Sequence, residues 1–168
     1  MDQSESINTG KQASVPAGFL LHPVHFPALG FGTGCMPWMP GTAGTLIGVM
    51  IYLPMQYTDL RIYLGMLITV TVAGVWICGK TATDLDVHDH SAIVWDEITG
   101  YLVTMFMAPD GWVWVALGFI LFRLFDILKP WPVSWADKRV KGGVGIMLDD
   151  IIAGIFGLVT LQIIAYLL

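Results

Sequence analysis

The sequence predicts an all-α fold: a polytopic membrane helical bundle of four to five transmembrane helices, with a Gly/Pro-rich re-entrant or interfacial segment near the N-terminus. The first observation is composition. Hydrophobic residues make up 55% of the chain, charged residues only 12%, and the mean hydropathy is +0.70; soluble domains carry about twice that charge. The second is length. At ~20 apolar residues for each crossing of a ~30 Å hydrocarbon core, 168 residues hold four or five spans. The third is that long apolar runs alternate with short polar turns. Disorder, a coiled coil and a collagen-like fibre do not fit this composition. Eight Lys+Arg against thirteen Asp+Glu, a net charge of −5 and no basic stripe speak against a nucleic-acid partner.

Residues 1–18 are polar and read as a cytoplasmic tail, leaving 19–168 as one membrane-embedded domain. Residues 19–31 are apolar but broken by Pro23, Pro27 and Gly30, the pattern of an interfacial or re-entrant piece. Residues 41–54 form a shorter span, with Pro37 and Pro40 just before it. Four runs carry the stronger signal. Residues 60–79 are nearly continuous apolar sequence; 92–108 follow Ser91, a candidate N-cap; 112–128 follow the turn Pro109-Asp110-Gly111; and 150–168 are uninterrupted. Gly44 with Gly48, and Ala153 with Gly157, are small residues four apart that let helices approach closely. Cys35 and Cys78 are small apolar fillers, too few for a disulfide framework.

Positive charge is lopsided. With the N-terminus inside and five crossings, Lys11, Lys80, Arg123, Lys129, Lys138, Arg139 and Lys141 lie inside and only Arg61 outside. Such a bias puts the long connections 80–97 and 129–149 in the cytoplasm.

The acids that could do chemistry collect at that boundary. Asp96 and Glu97 fall in the first turns of one apolar unit, Arg123 and Asp126 lie one turn apart near the inner end of another, and Asp149 and Asp150 open the last span. An ionised group at the bilayer centre costs about 2.5–3.5 kcal/mol even on insertion scales, so six such groups need partners or water. Glu97, Asp149, Asp150, Asp96 and Asp126 offer oxygen ligands without a thiolate, the donor set of a hard cation such as Mg²⁺. The plainer explanation is structural. Acids favour helix N-termini, and Arg123 with Asp126 makes an i, i+3 ion pair; two adjacent carboxylates at two separate helix starts exceed what capping needs.

Three further segments are candidates. His88 and His90, in the polar loop 81–91, can bind phosphate, protonate a leaving alkoxide or simply face solvent. Asp84-Leu85-Asp86-Val87 resembles the start of an aspartate-nucleophile phosphatase motif, but follows a membrane helix instead of a buried strand. Glycines 30, 32 and 34, followed by Gly41 and Thr42, can let backbone N–H groups approach an anion at the start of a helix near Thr42. Lys129 continues the Arg123 side of its helix, with Trp131 and Trp135 suited to the headgroup layer.

Four blocks, GFGTGCMPWMPGTAGT (30–45), VHDHSAIVWDEITG (87–100), FRLFDILKPWP (122–132) and GGVGIMLDDIIAG (142–154), resemble in order and spacing the bacterial phosphatidylglycerophosphatase A family. The resemblance implies a multi-pass phosphatase of the bacterial inner membrane whose site faces the cytoplasm. It implies Mg²⁺ dependence and removal of the terminal phosphate of phosphatidylglycerophosphate, and it says nothing of oligomeric state. The family motifs fall on Asp96, Glu97, Arg123, Asp126, Lys129, Asp149 and Asp150. An anionic lipid then needs positive partners, which Arg123, Lys129 and Lys80 supply beside Gly41 and Thr42. Glu97, Asp96, Asp150, Asp149, His88 and His90 are the catalytic candidates. A cysteine phosphatase is ruled out, because Gly41 and Asp84 stand where an Arg six positions after each Cys would be needed. A small transporter would want charges mid-membrane in facing helices, and the middles of 60–79 and 150–168 hold none. A non-enzymatic assembly factor is separable from an enzyme only by assay.

Overall fold

Apolar runs fold as helices and Gly/Pro-rich stretches as turns in the computed structural model, which describes residues 15–87 and 90–168. The α-helices are α1 (His25–Ala28), α2 (Pro40–Met55), α3 (Leu60–Asp84), α4 (Trp95–Thr104), α5 (Trp112–Leu128), α6 (Val133–Arg139) and α7 (Gly142–Leu167), with 3₁₀ turns at Ala17–Leu21 and Gly30–Cys35. No strand occurs among the described residues. Most of the polar tail lies outside the described residues, and its last two positions, Ala17 and Gly18, begin the first 3₁₀ turn.

Local chemistry sets the ends. Pro40 opens α2 at a position where its missing N–H costs nothing. Asp59 caps α3, its side chain accepting from the Arg61 N–H at 2.8 Å. α3 and α7 have 25 and 26 residues with a hydropathy of 2.0 each, long and apolar enough to cross a membrane. α2 has 16 residues, α5 has 17 and α4 only 10; at ~1.5 Å per residue α4 rises about 15 Å. A turn ends it where Met107 adopts φ 58° and the Gln162 amide donates to the Phe106 and Met107 carbonyls.

The last helix departs from expectation. α7 begins at Gly142, eight residues before the expected start at 150. Gly143 makes this possible: a side chain there would strike the Val75 carbonyl of α3 and meet the Gly79 nitrogen at 2.9 Å. Asp149 and Asp150 therefore lie two turns inside a helix whose first turn holds no acid. Their placement is not a response to the helix dipole.

α7 is the central helix, in contact with α3, α4, α5 and α6, and α4 is held between α7 and α2. Gly44 and Gly48 of α2 lie against Val94 and Ile98, and Gly157 lies against Thr104, so the small residues do sit at helix crossings. Around them Ile98, Tyr101, Leu102, Met105, Phe122 and Leu161 form a buried core. The Tyr63 hydroxyl donates to the Leu102 carbonyl at 2.7 Å, tying the start of α3 to the end of α4. These pairings bring the start of α2, the end of α3, the start of α4, the end of α5 and the first third of α7 to one end of the bundle.

Candidate active site

That end holds a cavity of about 360 Å³. α4 supplies Asp96 and Glu97 from its first turn, and α7 supplies Asp150, only 3% exposed. Each of the three offers one carboxylate oxygen, all within 4.8 Å of one another. Glu97 Oε2 is buried and has no hydrogen-bond partner. An orphaned buried oxygen beside two more carboxylates is costly in a bare protein and is what a hard divalent cation satisfies. The donor set fits Mg²⁺.

Two cations face these acids. Arg123 Nη1 lies 2.5 Å from Asp126 Oδ2 and 4.0 Å from Glu97 Oε1, and its Nε is buried without a hydrogen-bond partner. Lys129 Nζ donates to Asp137 Oδ1 at 2.5 Å and to Asp149 Oδ2 at 2.8 Å. Burial opposes the Lys129 charge, but these two hydrogen bonds outweigh it and raise its pKa above the ordinary 10.5. Lys129 ends α5 in the left-handed region at φ 42°, a conformation that usually falls to glycine at this position. Five carboxylates and two cations line the cavity, leaving a formal excess of three negative charges.

Gly41 lines the same cavity from the start of α2. A Cβ there would strike Glu97 Oε1 and sit 3.1 Å from Arg123 Nη1, so only glycine leaves the space open. The first N–H groups of any helix lack partners within it, and here that end of α2 opens on the cavity.

The structure thus gathers Asp96, Glu97, Arg123, Asp126, Lys129, Asp149, Asp150 and Gly41 around one space. Asp126 and Asp149 are ion-paired with Arg123 and Lys129 and line the same cavity as the three-carboxylate group. Other candidates lie elsewhere. Thr42 does not line the cavity. Lys80 is paired on its own helix with Asp84 at 2.5 Å, and that carboxylate also holds His25 Nε2 at 3.2 Å. His90 is buried in the loop before α4, its Nδ1 accepting the Ala92 N–H at 3.1 Å. His88 lies outside the described residues.

Two partners were not legible in the sequence. Asp137 reaches Lys129 from α6, and the only signal was its place eight residues further on, in the same inferred cytoplasmic connection. His25 joins Thr81 and Asp84 across 56 and 59 positions of chain, a pairing that no local pattern announces.

Residues 26–165 match the family profile described as Phosphatidylglycerophosphatase A. The phosphatidylglycerophosphatase A of Escherichia coli is 46% identical over 140 residues, covering 80% of this chain and 78% of that protein. Its namesake in Haemophilus influenzae is 39% identical over 152 residues, covering 88% and 91%. A Bacteroides thetaiotaomicron relative, provisionally named a phosphatidylinositol-3-phosphatase, is 36% identical over 142 residues, covering 80% and 88%. No solved structure gives a significant match. With the profile spanning most of its length, this chain belongs to the phosphatidylglycerophosphatase A family.

Proposed function

We propose that this chain is a Mg²⁺-dependent lipid phosphatase of the bacterial inner membrane that hydrolyses the terminal phosphomonoester of phosphatidylglycerophosphate to phosphatidylglycerol and phosphate. The observation that carries the reading is the meeting of Asp96, Glu97 and Asp150 beside Arg123 and Lys129 in a member of that family. α2, α3, α4 with its following turn, α5 and α7 cross the bilayer, and the cavity end faces the cytoplasm. Among the described residues, six of the seven Lys and Arg fall on that side of the alternating helices, which supports the orientation.

Asp96, Glu97 and Asp150 would hold the ion, with Asp126 and Asp149 close by. When bound, Mg²⁺ neutralises charge developing on the phosphate oxygens and makes water a better nucleophile. The protein's own groups do the rest. Arg123, held in place by Asp126, and Lys129, held by Asp137 and Asp149, bind and orient the phosphate. Gly41 leaves room for it, and the Gly41 N–H at the start of α2 favours its negative charge. Attack by water on phosphorus forms the new P–O bond and breaks the one to the glycerol oxygen, which takes its proton from a carboxyl group of the cavity while a carboxylate there takes the proton that the water loses. The diacylglycerol part stays in the leaflet while its headgroup reaches into the bundle.

The test is phosphate release by the purified protein in detergent micelles with Mg²⁺. Phosphatidylglycerophosphate is expected to turn over far faster than phosphatidic acid or phosphatidylinositol 3-phosphate. No release overturns the enzyme reading, and a preference for either comparison lipid overturns the substrate.

A further inference from the structure

α6 has two faces with different chemistry. Its inner face is tied down: Val133 and Ala136 are fully buried, and Asp137 reaches the cavity residue Lys129. Trp135, Lys138 and Arg139, spaced i, i+3 and i+4, share the outer face, and Lys141 follows the helix. All four are exposed, as is Trp131 just before the helix at 78%. Among the described residues Lys138, Arg139 and Lys141 form no ion pair, whereas Lys80, Arg123 and Lys129 are each taken up by carboxylates. In a chain of net charge −5, this is a concentrated positive surface beside the cavity. Cations in a last turn offset the helix dipole, which accounts for Lys138 and Arg139. It does not account for Lys141, beyond the helix, or for the exposed Trp131 and Trp135.

We propose that this outer face binds the headgroups of anionic phospholipids in the bilayer. Indole rings settle at headgroup level, and each Lys or Arg near an anionic surface is worth about fivefold in lipid enrichment. Zwitterionic headgroups offer no net charge to match three unpaired cations. The inference rests on the membrane setting, but on neither the metal nor turnover.

The test uses the full chain in vesicles carrying brominated phosphatidylglycerol or brominated phosphatidylcholine, with tryptophan fluorescence as the reading. The wild type is expected to be quenched about twofold more by the anionic lipid. Replacing Lys138, Arg139 and Lys141 together by Gln should remove that preference, and so should 1 M salt, which shortens screening to ~3 Å. Trp131→Phe with Trp135→Phe should remove it too, by deleting the reporters. Equal quenching by both lipids in the wild type overturns the proposal. So does a preference that survives the triple substitution, because Arg123 and Lys129 of the cavity would then be its source. Co-flotation with the vesicles separates the two levels: a wild type that fails to float overturns the membrane setting and the proposal with it.

Discussion

Gly154 faces Gly100 across the α4–α7 crossing so closely that a Cβ on Gly154 would strike the Gly100 carbonyl oxygen, with the carbonyl carbon 3.2 Å away. Asp150 stands four residues before the first and Asp96 four residues before the second. The two helices run in parallel here, so one close contact sets the spacing of both acids one turn away. Gly154→Ala and Gly100→Ala should each destabilise by about 1–3 kcal/mol and lower activity more than the stability loss explains. Gly65→Ala, where nothing lies within 4 Å, is the control. Thermal unfolding beside initial rates checks the pair; unchanged rates in both variants would detach the crossing from the site.

Glu97→Gln and Asp150→Asn should each abolish phosphate release while the protein stays folded. In EDTA both variants should unfold at a higher temperature than the wild type, because each removes an acid that is costly to hold there, first through burial and then through its acidic neighbours. Saturating Mg²⁺ should stabilise the wild type, by about 2.7 kcal/mol at a hundred times its dissociation constant, and leave the variants unmoved. Activity that persists through chelation would remove the metal from the scheme.

Lys129→Met should raise KM for the anionic substrate by roughly ten- to a hundredfold, the worth of a hydrogen bond from a charged donor. Asp137→Asn should do far less, under about 1 kcal/mol, because that carboxylate is a third exposed. Steady-state kinetics on the two variants checks the order. If Asp137→Asn proved the more damaging, Lys129 would be the support and Asp137 the working group.

Acid should loosen the α1–α3 junction. Burial lowers the pKa of His25 from its ordinary 6.5, His22 and Lys80 add to the lowering, and Asp84 opposes it. The unfolded chain thus takes up a proton near pH 6.5 that the folded chain resists, so stability is full above that pH and falls as pH drops below it. Hydrogen exchange at Ala28 and Leu29, measured from pH 7.5 to 5.5, should accelerate on acidification in the wild type. His25→Phe should flatten the trend.

The helices whose apolar runs have sharp polar borders could be read directly. α5 coincides with the expected residues 112–128. α3 extends past residue 79 to Asp84 because Lys80, Thr81 and Asp84, polar in isolation, find one another and His25. α7 was cut short in expectation because Gly142, Gly143 and Gly145 look like a loop until Gly143 is seen against α3. The acids of the site could be read as a set, since their cost in an apolar chain demands an explanation. Which of them cluster and which take a cation partner depends on helix crossings between distant segments, and residue spacing alone does not contain that.

Gln162 carries a lesson about reading apolar helices. It sits in an apolar groove with Phe106, Met107, Leu158 and Ile163, and any hydropathy scale would welcome a leucine in its place. Yet its amide substitutes for the missing further turn of α4 by donating to two carbonyls of the turn that follows it. Gln162→Leu, greasier and more regular on paper, would lose both hydrogen bonds at a cost of about 0.5–1.5 kcal/mol each, and melting should begin from that end.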